Sequence, residues 1–246
     1  MLENKNALIT GANRGLGRAI LETFAKNGAN VFACVRKITD DFLNYCSELE
    51  NSCKVKIKPV AFEMTNDLEM KSAIKTIKDE KCNLDILVNN AGIVPENRLF
   101  NMSSPEEMRR VFDVNFFATM KLTQLVTKIM IRQKFGSIVN IISISAIDGE
   151  PAQVEYVSSK AALMGATKKL ASELGNFNIR VNAVAPGVIN AGVSEFMALE
   201  LKKNIANRNI MKRLGEPNEI ANVVMFLASD LASYMTSQVI RVDGGM

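Results

Sequence analysis

The sequence predicts a single doubly wound α/β domain, a parallel sheet with helices on both faces, and three observations predict it. Short apolar runs alternate with amphipathic stretches from one end of the 246 residues to the other, the pattern that successive strand–helix–strand units produce. No linker, repeat or low-complexity tract interrupts them, so one domain is expected over residues 1–246. Leu84–Val88 is apolar apart from Asp85, with Ile86-Leu87-Val88 in sequence, as a strand covered on both faces should be.

In order, Ala7–Thr10 reads as the first strand and Arg18–Asn27 as an amphipathic helix that stops at Gly28. Asn30–Val35 is the second strand, Asp40–Glu50 a helix, Val55–Phe62 the third strand, and Leu68–Lys78 a helix charged along one side. Leu84–Val88 is the fourth strand. Ser104-Pro105-Glu106 then marks a helix start: a capping serine, proline in the first position, an acid in the first turn. One long helical region should follow, carrying Asn115 among Val114, Phe116 and Phe117. Ser137–Ile142, Ile179–Val184 and Gln238–Val242 complete seven strands; helices end near Leu174 and span Pro217–Ala228. Residues 190–213 lack a strand pattern and read as helical excursions, a candidate substrate lid. The stripe Ala161, Ala162, Gly165, Ala166 would admit the close approach of another backbone, and that of a second subunit is expected.

Composition narrows the function. The charge balance is only +4 and no Lys/Arg run occurs, so no nucleic-acid partner is expected. With no histidine, a His-dependent triad, a zinc protease and any His-ligated metal site are excluded; no metal is expected. Cys34, Cys46, Cys53 and Cys82 show no Cys-x-x-Cys spacing and read as reduced thiols. No signal-like segment or membrane-length apolar run is present, so a soluble, cytoplasmic protein without a membrane partner is expected.

The first strand runs into Gly11-Ala-Asn-Arg-Gly15-Leu-Gly17 and then a helix. Strand, glycine turn and helix form the setting of a dinucleotide site: small residues let the backbone approach a pyrophosphate, and the helix N-terminus offers N–H groups and partial positive charge. The second strand ends in Val35-Arg36-Lys37 with no acid for ribose hydroxyls. Arg36 and Arg14 could instead grip a 2′-phosphate, which points to NADP(H). Tyr156 and Lys160, four apart, share one helix face; an ammonium beside a phenol favours its ionised form. Gly11, Asn89, Ser143 and Pro186 all follow strand ends, where ligands of such sheets sit.

Taken together, Thr10-Gly11-x-x-x-Gly15-x-Gly17, Asn89-Asn90-Ala91-Gly92, Asn115, Ser143, Tyr156-x-x-x-Lys160 and Pro186-Gly187 resemble the short-chain dehydrogenase/reductase family over essentially the whole chain. The resemblance implies a Rossmann-type domain with a seven-stranded sheet and four catalytic residues. Tyr156 would protonate a carbonyl oxygen as hydride arrives, Lys160 would lower its pKa and hold the nicotinamide ribose, and Ser143 would donate to the substrate oxygen. Asn115 would hold a water that links Lys160 to solvent. Cofactor contacts would come from Gly11, Asn13, Arg14, Gly15, Leu16, Gly17, Arg36, Met64, Asn89, Ala91, Gly92, Tyr156, Lys160, Pro186, Gly187 and Ile189. Ser145 is the rival to Ser143, but thirteen residues before Tyr156 is the family's position. Two departures stand out: Glu63 where an Asp is common, and Ala191 where a Thr usually meets the carboxamide.

Within the family the chain looks most like 3-oxoacyl-[acyl-carrier-protein] reductases of fatty acid biosynthesis, through Arg213-Leu-Gly-Glu-Pro217 and Val242-Asp-Gly-Gly245. That implies a 3-oxoacyl thioester substrate, an acyl carrier protein as candidate partner, and a homotetramer or homodimer. Arg132 and Lys134 could meet an acidic carrier, whereas Phe177 stands where those reductases often have arginine and Arg180 should point elsewhere. Reduction of another small molecule, such as a sugar, alcohol or ketone, remains an alternative, as does a non-catalytic NADP-binding sensor or structural protein.

Overall fold

The structure is a computed structural model that describes residues 1–149 and 151–246, the side chains of Val193 and Phe196 excepted. The strands are β1 (Asn6–Thr10), β2 (Asn30–Val35), β3 (Ile57–Ala61), β4 (Ile86–Asn89), β5 (Gly136–Ile141), β6 (Ile179–Pro186) and β7 (Val239–Val242). The helices are α1 (Gly15–Lys26), α2 (Asp40–Cys53), α3 (Asp67–Asp79), α4 (Pro105–Phe112), α5 (Thr119–Gln133), α6 (Ser145–Asp148), α7 (Val154–Leu174), α8 (Leu199–Arg208) and α9 (Pro217–Ala228). All neighbouring strands are parallel, in the order β3-β2-β1-β4-β5-β6-β7. The order reverses between β1 and β4, and a crevice opens at their carboxyl ends, the usual ligand position in such a sheet.

Alternation along each strand divides the core into two layers. Ile9, Ile86 and Val88 pack with Ile20, Phe24, Val224 and Leu227 of α1 and α9 on one face. Leu8 and Leu87 pack with Met70, Ile77, Leu122 and Val126 of α3 and α5 on the other. Every residue of β4 and β5 is buried, which explains the apolar cores Ile86–Val88 and Ile138-Val139 of these strands. Local chemistry sets the helix starts. Thr39 accepts from Phe42 N–H, Asn66 from Leu68 and Glu69 N–H, and Ser104 from Glu107 N–H ahead of Pro105. Glu216 and Glu219 form a reciprocal capping box on α9.

Beyond end shifts such as α2 running on to Cys53, three regions near the crevice refine the sequence expectation. α1 begins at Gly15 rather than Arg18, because the glycine turn itself closes into the first helical turn. The region after Ser104 is not one regular helix: a π-helical turn, Asp113–Ala118, separates α4 from α5. Its apolar residues satisfy a helical pattern whichever hydrogen-bond period the backbone takes. In 190–213, a 3₁₀ turn at Gly192–Phe196 leads into α8, none of whose residues is buried. The small-residue stripe of α7 meets nothing within this chain at Gly165, where a Cβ would have no neighbour within 4 Å.

Candidate active site

The floor of the crevice is the turn between β1 and α1. Gly11 and Gly15 have φ of +68° and +54°, a region where a side chain is strained. A Cβ on Gly17 would fall 2.0 Å from the carbonyl oxygen of Gly11, so only glycine lets the helix start this close to the strand. Arg14, the N-cap of α1, is extended, its side chain makes no cap bond, and the first turn carries no acid. The first-turn N–H groups therefore have no side-chain acceptor and present their partial positive charge to the crevice. This cradle fits a pyrophosphate. Asn13 and Arg14 are exposed at its rim, and Leu16 packs against the core below.

The ends of β1 and β4 are tied by Thr10 and Asn90, which the motifs contain but to which the sequence assigns no role of their own. Thr10 Oγ1 accepts from Asn90 N–H (3.0 Å) and Ala91 N–H (2.9 Å), and the Asn90 amide donates to Thr10 O (2.9 Å). Asn89 turns inward: its amide donates to Thr123 Oγ1 (2.9 Å) and Asn140 Oδ1 (2.8 Å), and Asn140 donates to Thr167 (2.8 Å). The Asn89 amide nitrogen is thus held by the sheet, while its buried Oδ1 has no hydrogen-bond partner among the described residues. Its position at a polar strand end is the signal that brought it forward, but side-chain direction depends on Asn140, on the neighbouring strand. At the end of β2, Arg36 is exposed and lies 4.0 Å from Glu63. Met64 packs along the second core layer.

Beyond β5 and β6 the remaining predicted residues gather around the first turns of α7. Lys160 is buried, its Nζ 5.9 Å from the Tyr156 ring centroid and donating to Ile141 O (2.8 Å). Ser143 Oγ pairs with Ser145 Oγ (2.8 Å) and accepts Ser145 N–H (3.2 Å). Ser145 therefore orients Ser143. Asn115, fully buried in the π-helical turn, holds Ile93 at both ends, accepting its N–H (2.8 Å) and donating to its C=O (2.9 Å). It also donates to Ser159 Oγ (3.2 Å). A Cβ on Gly92 would lie 3.1 Å from Asn115 Oδ1 and 3.5 Å from Lys160 Nζ, so all three meet at one point. A π turn at such a junction is a common mark of a working site. Pro186 ends β6, Gly187 leaves no room for a Cβ beside Asp243 (2.8 Å to its Cα), and Ile189 packs on the first core layer.

Burial governs the electrostatics here. It lowers the Lys160 pKa to about 8. It raises that of Tyr156, with the neighbouring Ser143 hydroxyl pulling the other way. The lysine does not depress the phenol in this arrangement, as the helix spacing alone suggested, because its ammonium is turned toward Ile141 O and desolvation outweighs it.

The fold and cradle define a dinucleotide-binding α/β protein with a tyrosine, a lysine and a serine hydroxyl at its switch point. A family model described as Enoyl-(Acyl carrier protein) reductase matches residues 11–246. The chain is 39% identical over 245 residues to the 3-oxoacyl-[acyl-carrier-protein] reductase FabG of Thermotoga maritima, covering 100% of this chain and 98% of that one. It is likewise 39% identical to a 3alpha-hydroxysteroid dehydrogenase of Mediterraneibacter gnavus, over 99% of this chain and 97% of that one. Among solved structures, a 3-oxoacyl-[acyl-carrier protein] reductase with bound NAD from Brucella melitensis superposes with a TM-score of 0.90 at 34% identity, covering 99% of this chain and 91% of that one. The chain belongs to the short-chain dehydrogenase/reductase family and is an oxidoreductase. A nicotinamide cofactor goes with that class, and the glycine cradle fits one.

Cys34, Cys46, Cys53 and Cys82 are all free. No helix among the described residues is long and apolar enough to cross a membrane. Arg180 donates to Leu227 O (2.8 Å) and Ser229 O (3.0 Å), so its guanidinium is committed to the end of α9.

Proposed function

We propose that the chain is an NADPH-dependent carbonyl reductase in which Tyr156 is the proton donor, and that its substrate is a 3-oxoacyl thioester. The observation that carries this reading is the convergence of Ser143, Tyr156 and Lys160 just beyond the sheet, above a cradle suited to a dinucleotide. Bound NADPH would supply the hydride to the carbonyl carbon. Tyr156 gives its proton to the carbonyl oxygen, and its raised pKa keeps the phenol loaded at neutral pH. The Ser143 hydroxyl, oriented by Ser145, donates to the same oxygen as charge builds on it. Lys160 holds positive charge next to the phenol and is the group that would bind the nicotinamide ribose. Asn115 positions the Ile93 backbone and Ser159 behind them.

Preference for NADPH rests on Arg14 and Arg36 at the crevice rim and on the absence of an acid at the end of β2. The thioester rests on likeness to the 3-oxoacyl reductases, with Arg132 and Lys134 at the end of α5 as the basic pair for an acidic carrier. Residues 190–213 would form the lid over the substrate, with Leu199, Leu201, Ile210 and Met211 exposed along it. Phe196, another expected lid residue, has its side chain outside the described set. A second reading, reduction of a polycyclic ketone, draws on the equal likeness to the hydroxysteroid enzyme and on this apolar lid. NADPH oxidation measured with an acetoacetyl thioester and with simple and polycyclic ketones separates them. Turnover of the thioester is expected, and turnover confined to non-acyl ketones would overturn the thioester assignment.

A further inference from the structure

The stretch between Gly92 and α4 is poorly packed. Leu99, Phe100 and Met102 are 56%, 71% and 64% exposed, so these apolar side chains do not anchor it. Beside it lies a half-open cleft of about 420 Å³ whose lining includes Pro95, Arg98, Ser103 and Glu155. With its apolar side chains in solvent and an open cleft beside it, the stretch relies on hydrogen bonds to hold it in place.

Among the described residues, those tying Pro95–Ser103 to the rest of the chain all come from the beginning of α7. Gln153 donates its backbone N–H to Arg98 O (3.0 Å) and its side-chain amide to Pro95 O (2.9 Å). Ser103 donates its hydroxyl to Glu155 Oε2 (3.1 Å). Gln153 sits in the left-handed region at φ 53°, which turns both of its donors toward the stretch. Glu155 is only 1% exposed. No cation or second donor reaches its carboxylate among the described residues. An acid withdrawn from water with a single hydroxyl partner is costly to maintain, and the proton chemistry at Tyr156 does not use it. The stretch leaves the site at Gly92, beside Lys160, and is caught again within three residues of Tyr156. It therefore borders the space in front of both.

We propose that Glu155, with Gln153, is a positioning residue: it fixes the Pro95–Ser103 stretch against the start of α7 and so sets the fit of the carbonyl substrate beside Tyr156. The proposal rests on the carbonyl-reductase reading for its kinetic consequence but not for its structural one. Glu155→Ala and Ser103→Ala should each raise KM for the carbonyl about tenfold, the scale of a hydrogen bond to a charged group. Their kcat and affinity for NADPH should stay within about twofold of the unmutated enzyme, since neither residue touches the reacting atoms. Glu155→Gln, which keeps an acceptor for Ser103, should restore KM, and the Ser103→Ala/Glu155→Ala pair should be no worse than either alone. Ser103→Ala leaves the buried acid in place and keeps the test open if Glu155→Ala folds poorly. Hydrogen exchange over residues 95–103 supplies a readout that needs no turnover: both alanine variants should exchange faster there while β4 and β5 are unchanged. If no carbonyl is reduced by the unmutated protein, the functional reading fails and exchange alone decides the latch. Unchanged exchange in both variants, or a fall in kcat with KM steady, would overturn the proposal.

Discussion

On one side of the crevice, the turn between β1 and α1 and the end of β4 are locked by backbone geometry and buried hydrogen bonds. Gly17 lies against Gly11, Thr10 against Asn90 and Ala91, and Asn89 against Asn140. On the other side, the Pro95–Ser103 stretch and the 190–213 segment expose large apolar side chains, and no residue of α8 is buried. The first region would meet a molecule of fixed shape, and a rigid, side-chain-free surface suits it. The second would meet the substrate, and a wall held by a few side-chain bonds can be altered without disturbing the sheet. The chain is equally similar to a 3-oxoacyl-[acyl-carrier-protein] reductase and to a hydroxysteroid dehydrogenase, so overall identity does not choose between the two substrates.

Four substitutions probe the contrast. The largest effect is expected from Gly17→Ala. Its Cβ would sit 2.0 Å from a backbone oxygen, so the turn must open, costing about 3 kcal/mol or more. Thermal unfolding should show a lower Tm that NADPH no longer raises; a normal ligand-induced rise would mean the cradle is not the binding surface.

Next is Lys160→Met, expected to lower kcat by about 10² to 10³ without destabilising the protein below pH 8. The sign follows from burial. The folded-state pKa, about 8, lies below the ordinary lysine value of 10.5, so between them the unfolded chain binds more protons and stability rises with pH. Urea unfolding on either side of that window should show this rise in the unmutated protein and its absence in the variant. A variant that is markedly less stable throughout would show that the ammonium is supported by more than its single bond to Ile141 O.

Arg36→Ala should weaken NADPH binding about tenfold and leave NADH binding nearly unchanged, as expected for one guanidinium on a phosphate. Titration of both cofactors checks it, and equal losses would remove the 2′-phosphate assignment. The smallest effect belongs to the adaptable side. Ile210→Ser, at a side chain 79% exposed, should raise KM for an apolar ketone by about two- to fivefold and leave Tm unchanged. A shift in Tm instead would place Ile210 in packing rather than in the lid.

Much of this was legible in sequence because local chemistry decides it. Ser104-Pro105 favours a helix start from local chemistry alone, the apolar Ile86–Val88 calls for cover on both faces, and four-residue spacing brings Tyr156 and Lys160 together on any helix. What stayed hidden depends on partners distant in the chain. Asn89 faces the sheet because Asn140, 51 residues away, accepts its proton. The π turn at Asn115 is set by what that side chain must reach, Ile93 and Ser159, not by the apolar residues around it. The phenol of Tyr156 is raised rather than lowered because the surrounding walls exclude water, which a spacing rule does not contain. Glu155 reads as a surface acid of a helix's first turn until the fold buries it.

The most direct test of the account is Tyr156→Phe, which removes one oxygen and keeps the ring. The account predicts that NADPH binds with its affinity nearly intact while carbonyl reduction falls by at least about 10³. Retained turnover at the unmutated rate would contradict it, because the proton would then be coming from somewhere other than Tyr156.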